Sequence, residues 1–263
     1  MPELPEVETV RKILNTFIID AQVSAVEVRK PGIINGDVDT FIKMITGQTF
    51  GPVERIGKYL IFTFKSDLIL LSHLRMEGKY VEVAPGEKLS PYAHVIFTLT
   101  DGRKLCYDDS RQFGTMELST KETYLHTKSL QNVGKEPFDT DPKEYYNSIK
   151  SRTTAIKLTL LDQKLMSGLG NIYVDEVLYA AQIHPLFPTN KLTYKQVELL
   201  VHESINVLNE AIKQGGTTVR SYHPSVGVSG NFQQQLHAYG RADQKCIRCG
   251  GLMKKIFVGG RGT

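Results

Sequence analysis

The chain has 263 residues, 41% hydrophobic and 23% charged, with a net charge of +4; that is enough for one large core or two to three smaller ones. Three cysteines exclude a disulfide framework. No apolar run approaches ~18 residues and no charged-then-apolar leader opens the sequence, which excludes a membrane span and points to a soluble, cytoplasmic protein. The charge is uneven: residues 1–125 carry 15 Lys/Arg against 17 Asp/Glu, residues 126–263 carry 17 against 11, and from Ala238 onward there are six basic side chains and one acidic. Such a bias fits either a phosphate-binding surface or an ordinary solvated one.

In chain order, Met1-Pro2-Glu3-Leu4-Pro5-Glu6 comes first. A small residue after the initiator favours Met1 removal, which leaves Pro2 as a free secondary amine. An α-amino group titrates near ~8, so a useful fraction is neutral and nucleophilic at physiological pH. Such an amine attacking a sugar C1′ would give an iminium ion, with Glu3 and Glu6 close by to move protons. Pro5 at the start of a helix is equally ordinary, and both readings stay open on these six residues alone. Val7, Val10, Leu14 and Phe17 then trace one helical face.

From Val23 the pattern becomes strand-like. The segments 23–28, 59–64, 68–71, 79–83, 95–100 and 104–107 are short alternating or apolar runs, separated by turn pairs such as Ser66-Asp67 and Asp101-Gly102. This spacing predicts an antiparallel β-sandwich. After a linker at 132–142 helices are predicted over 145–150, 155–165, 172–181 and 193–213. The last has a Thr193/Gln196 capping box, an apolar stripe from Val197 to Ile212, and Gly215-Gly216 as its stop. A final strand is predicted over 254–258.

Three stretches carry possible chemistry. Ser167-Gly-Leu-Gly-Asn171 between two helices frees the backbone to approach a phosphate at a helix N-terminus, or is a plain interhelical turn. Cys246-x-x-Cys249-Gly250 is half of a tetrahedral zinc site. Cys106 reads as core, and His237 is a lesser candidate ligand. The Gly- and Ser-rich run from Gly215 to Gly230 reads as a surface loop.

Together these stretches resemble the bacterial formamidopyrimidine-DNA glycosylases. The match is carried by residues 1–10, by Arg55-Ile-Gly-Lys58-Tyr-Leu, His73-Leu-Arg-Met76-Glu77-Gly and Asp109-Ser-Arg111-Gln-Phe113-Gly, by Gly-Leu-Gly-Asn171-Ile-Tyr173 with Ile183-His184-Pro185, and by the ending Gly-Gly-Arg261-Gly-Thr. The resemblance implies an α+β fold in three parts. These are an N-terminal antiparallel β-sandwich with a flanking helix (1–132), a helical DNA-binding domain with a helix–two-turn–helix (133–232), and a C-terminal zinc-finger β-hairpin (233–263). The hairpin is incomplete here, because the family's second cysteine pair follows the Gly-Arg-Gly-Thr segment. DNA is expected in the cleft between the sandwich and the helical half.

The resemblance further implies a monomeric, nucleoid-associated base-excision glycosylase. It removes 8-oxoguanine and formamidopyrimidines from duplex DNA and cuts the abasic site by β,δ-elimination, with one structural zinc on Cys246 and Cys249 and no catalytic metal. On this pattern Pro2 is the nucleophile and Glu3 the general acid, and Glu6 orients the site. Lys58, Asn171 and Arg261 hold phosphates, and the basic pair are candidate proton donors. Met76, Arg111 and Phe113 fill the hole left by the everted base, the apolar groups replacing stacking and the arginine pairing with the orphaned cytosine. His73, His94, Arg152 and Tyr173 are further DNA contacts. Tyr92 stands where the family commonly has a histidine, which puts that contact in question. Glu77 and the run Thr217, Thr218, Val219, Arg220, Ser221 and Tyr222 belong to the lesion-recognition surface. The alternatives are an endonuclease VIII-like pyrimidine glycosylase, a non-enzymatic DNA-binding zinc protein, and a Mg²⁺ nuclease using Asp108-Asp109. Leu4 and the void-filling triad argue against the first.

Overall fold

The structure is a computed structural model that describes residues 2–217 and 231–263. The described chain divides into two compact units, residues 2–131 and residues 132–217 with 231–263.

The first unit is built on period-two alternation. Two four-stranded sheets form, in the orders β1-β6-β7-β5 and β2-β3-β4-β8, and every strand pairing within them is antiparallel. The strands are β1 Val23–Val28, β2 Phe50–Ile56, β3 Tyr59–Phe64, β4 Leu68–His73, β5 Lys79–Val83, β6 Ala93–Leu99, β7 Lys104–Asp108 and β8 Thr115–Thr120. Alternate residues point to one face, so Leu60, Phe62 and Phe64 share a core with Val95, Phe97, Leu105 and Tyr107 of the other sheet. Phe62 meets Tyr80 across that core at 5.1 Å between ring centroids, and Phe50 meets Phe97 edge-on at 6.2 Å. Each such fully buried ring contributes roughly 1.5–3 kcal/mol over exposure. Helix α1, Leu4–Phe17, lays Val7, Val10 and Leu14 on the same core.

Three elements lie outside the alternation seen in the sequence. Helix α2, Val38–Ile45, is only eight residues long and is set by its cap, with Asp37 Oδ1 accepting the Thr40 N–H at 2.8 Å. Strand β2 carries Pro52 and an irregular register between Phe50 and Val53. It is an edge strand, where a missing N–H does no harm. Strand β8 is the opposite edge.

The second unit is helical: α3 Pro142–Ile149, α4 Ile156–Leu160, α5 Asn171–Ala180 and α6 Tyr194–Lys213. The Thr193/Gln196 capping box forms as expected, Gln196 Oε1 accepting the Thr193 N–H at 2.9 Å. Helix α4 stops five residues short of Leu165. Asp162 turns the chain there, its Oδ1 accepting the Lys164 N–H at 3.1 Å in place of a helical carbonyl. The C-terminal strand is shorter than expected as well: β9, Phe257–Val258, pairs with β10, Arg261–Gly262. Gly259 and Gly260 between them both have positive φ, +56° and +76°, the backbone that a two-residue type I′ hairpin demands. Among the described residues no helix is long and apolar enough to cross a membrane.

Candidate active site

In the first unit the start of α1 is anchored. Pro2, Glu3 and Glu6 are all buried at the mouth of α1, and Glu6 Oε2 accepts the Glu3 N–H at 2.9 Å. One turn on, Glu8 reaches from α1 to β2. It accepts from Arg55 Nε at 3.1 Å and from Arg11 at 2.7 Å, while Arg55 Nη1 donates to the Gly57 carbonyl at 2.9 Å. Burial alone would raise the Glu8 carboxyl, but the hydrogen bonds from Arg11 and Arg55 outweigh it and hold its pKa below the ordinary carboxylate value. The turn pinned in this way is the one that carries Lys58, which is 6% exposed.

Strand β4 ends at His73, also buried and edge-on to Tyr59 at 4.5 Å. Its Nδ1 accepts the Arg75 N–H at 3.0 Å, so the neutral ring carries its proton on Nε2. Burial, with the charges of Arg75 and Lys58 adding to it, lowers its pKa to about 3. At neutral pH the ring is therefore an uncharged donor. The unfolded chain takes up a proton near 6.5 that the folded chain refuses until about 3, so stability is complete above the unfolded value and falls as pH drops through that window. We expect urea unfolding at pH 4 to 7 to show this slope, at most about 4–5 kcal/mol in all, and His73→Gln to flatten it. An unchanged slope in the variant would show that another group is responsible.

Met76 and Glu77, half-buried, lie on the turn from β4 to β5, and Arg111 and Phe113 lie exposed on the loop from β7 to β8. The Arg111 guanidinium sits over the Phe113 ring at 4.8 Å. Tyr92 is 52% exposed. His94 is buried, with Nε2 bonded to the Asp109 carbonyl at 2.8 Å, so its ring braces the loop that follows β7.

In the second unit, Asn171 opens α5 with Gly170 as its N-cap. Its Nδ2 donates to the Gly262 carbonyl at 3.0 Å, so the amide already ties the helix to the hairpin that presents the exposed Arg261. The same carbonyl accepts from Lys157 Nζ at 3.2 Å, and Lys157 in turn pairs with Asp175 Oδ1 at 2.8 Å. Thr263 Oγ1 donates to that carboxylate too. Nothing in the sequence singles out Lys157 or Asp175. Each is one charged residue on a helix, and only folding makes them a buried pair.

Arg152 is half-exposed and paired with Asp162 at 3.2 Å. The Tyr173 ring is fully buried, 5.8 Å from that of Phe232. Thr217 is buried; Thr218, Val219, Arg220, Ser221 and Tyr222 lie outside the described residues.

Cys246 and Cys249 sit on a tight turn in which the Gly250 N–H donates to the Cys246 carbonyl at 2.8 Å. The Tyr179 hydroxyl and the amides of Cys249 and Arg248 lower the Cys246 thiol to about 6, which suits a metal-binding thiolate. Among the described residues no group of three or more metal-binding side chains forms. His237 does not join the cysteines; it stacks on Tyr179 at 5.7 Å and lies beside Glu176.

Two family models match this chain, the formamidopyrimidine-DNA glycosylase N-terminal domain over residues 1–116 and the H2TH domain of the same enzymes over 133–223. The formamidopyrimidine-DNA glycosylase of Lactiplantibacillus plantarum is 45% identical over 266 residues, and that of Bacillus licheniformis 46% over 267; each alignment covers 100% of this chain and 97% of the relative. Among solved structures, wild-type Lactococcus lactis Fpg in complex with N7-benzyl-Fapy-dG DNA superimposes with a TM-score of 0.94 at 40% identity. The complex of the L. lactis protein with abasic-site DNA gives 0.93 at 39%. Both cover 100% of this chain and 97% of the other.

Proposed function

The chain belongs to the formamidopyrimidine-DNA glycosylase family, and from that membership we infer that it is a bifunctional base-excision repair enzyme. It removes oxidised purines from duplex DNA and cleaves the abasic site that remains. It acts as a monomer in the cytoplasm, on the nucleoid.

The support for assigning roles to residues is the seating of Pro2, buried at the start of α1 beside Glu3 and Glu6. With Met1 removed, the Pro2 nitrogen attacks C1′ of the everted nucleotide, the C1′–base bond breaks, and the nitrogen loses its proton while the departing base gains one. Glu3 gives a proton to the ring oxygen as the sugar opens, leaving an iminium ion between Pro2 and C1′. Glu6 fixes the backbone of Glu3 and so its aim. The iminium acidifies C2′–H. Loss of that proton expels the 3′ phosphate, a second elimination expels the 5′ phosphate, and water releases Pro2. Lys58, Asn171 and Arg261 hold the phosphates flanking the lesion, with His73 as a neutral donor. Met76, Arg111 and Phe113 take the place of the departed base.

Cys246 and Cys249 would supply two thiolates to a structural zinc, half of the four donors a tetrahedral site needs. The described residues do not complete such a site, and no step above depends on it.

Excision from 8-oxoguanine·C and thymine-glycol duplexes, measured side by side, tests the substrate class. The purine lesion should be preferred by about tenfold or more. A preference for thymine glycol would move the chain to the endonuclease VIII-like branch.

A further inference from the structure

The loop that carries Arg111 and Phe113 has no regular secondary structure between β7 and β8, yet it is held by a single buried carboxylate. Asp109, 1% exposed, accepts four donors. Its Oδ1 takes the Arg111 N–H at 2.9 Å. Its Oδ2 takes the N–H groups of Phe113 and Gly114, each at 2.9 Å, and the Tyr107 hydroxyl at 3.3 Å. His94 braces the same residue from behind through the Asp109 carbonyl. A carboxylate offers about four lone-pair sites, so it can hold several amides of one short loop at once and fix its path.

Tyr107 links this loop to the other one. Its ring is fully buried in the sandwich core. Its hydroxyl lies where a Cβ on Gly114 would stand 1.6 Å away and a Cβ on Gly78 2.2 Å away. Gly78 closes the Met76 turn, its N–H donating to the Leu74 carbonyl at 3.0 Å. The phenol therefore fits only because both loops present bare backbone to it, and it touches both while donating to Asp109.

We propose that Tyr107 and Asp109 are positioning residues that set the Met76 turn and the Arg111–Phe113 loop in their void-filling shape before DNA arrives. This rests on the reading that Met76, Arg111 and Phe113 fill the void. The loops then need no ordering at the moment of base eversion, when the cost of emptying the stack must be met by groups already in place. The opposite-base contact by Arg111 becomes a fixed gauge, which ties selectivity for cytosine to a carboxylate that touches no DNA.

The test uses the full chain with Asp109→Asn, which keeps the side-chain shape but turns one acceptor oxygen into a donor, and Tyr107→Phe, which deletes only the hydroxyl. Single-turnover excision is measured on 8-oxoguanine·C and 8-oxoguanine·A duplexes. Borohydride trapping is measured on a single-stranded abasic oligonucleotide, which has no opposite base and no void. Arg111→Ala and Phe113→Ala are run alongside. Asp109→Asn should slow 8-oxoguanine·C excision by about 10–100-fold and Tyr107→Phe by about 3–10-fold, the range over which misplaced positioning groups act. The C-over-A preference should fall toward one while single-stranded trapping stays within about twofold. If Arg111→Ala loses the preference and both positioning variants keep it, the proposal fails and the void-filling reading stands. If Arg111→Ala and Phe113→Ala leave excision and preference unchanged, the void-filling reading fails first. Single-stranded trapping that falls in step with duplex excision would mark general damage and also overturn the proposal. Should Asp109→Asn not fold, Tyr107→Phe decides by the same criteria.

Discussion

A chain that keeps Met1 ahead of Pro2 is expected to give no borohydride-trapped adduct with abasic DNA. Its excision of 8-oxoguanine should drop by on the order of 10³-fold or more, the scale on which loss of an enzymatic nucleophile acts. The reason lies in the nitrogen. As a free N-terminus Pro2 is a secondary amine that titrates near ~8, and on attack it gives up its single N–H and becomes an iminium that stays charged at any pH. Acylated by methionine, the same atom is a tertiary amide whose lone pair is delocalised into the carbonyl, and it cannot attack C1′. Nothing else need change: Lys58, Asn171 and Arg261 remain, so affinity for an abasic duplex should stay within a fewfold of the processed protein. Intact mass reports the N-terminal state, and trapping and gel-shift on the same sample report the two outcomes. A trapped adduct of normal yield from a chain shown by mass to retain Met1 would place the nucleophile elsewhere.

The second large effect concerns Lys157 and Asp175, whose side chains are 0% and 5% exposed. Burial pushes the Asp175 carboxyl up, against the hydrogen bonds from Lys157 and Thr263 that pull it down. A pair in that balance does little for stability as a pair, but removing one partner strands the other charge. Lys157→Met alone should therefore cost about 3–5 kcal/mol, a fall in melting midpoint of roughly 6–20 °C for a chain of this size. The double change Lys157→Met with Asp175→Leu should restore most of that loss. It should not restore activity. The Gly262 carbonyl would keep only its bond from Asn171, and the hairpin that presents Arg261 would lose the contacts that aim it, so strand cleavage should stay down by about tenfold. A double variant with native stability and native cleavage would reduce the pair to packing.

Features encoded within a few residues of one another could be read from the chain alone. The cap of α6 forms because Thr193 and Gln196 stand three apart, and the Cys246/Cys249 turn forms because two residues and a glycine allow it. The alternation of Tyr59 to Phe64 selects one face for the core whatever lies opposite. The family motifs are legible for the same reason: each is a short run whose chemistry needs fixed spacing. The tertiary structure decided the partners. Asp109 sits in a motif read for Arg111 and Phe113, and only closure of β7 and β8 around it turns a loop aspartate into the acceptor of four donors. Lys157 and Asp175 are 18 residues apart, and Lys157 and Gly262 are 105 apart, separations over which no local periodicity survives. His94 and Tyr173 stand in or beside the family motifs, and the fold buries the first behind a loop and the second in a core. Spacing along the chain fixes which groups are available, whereas desolvation and partners, properties of the assembled fold, fix the setting in which each of them acts.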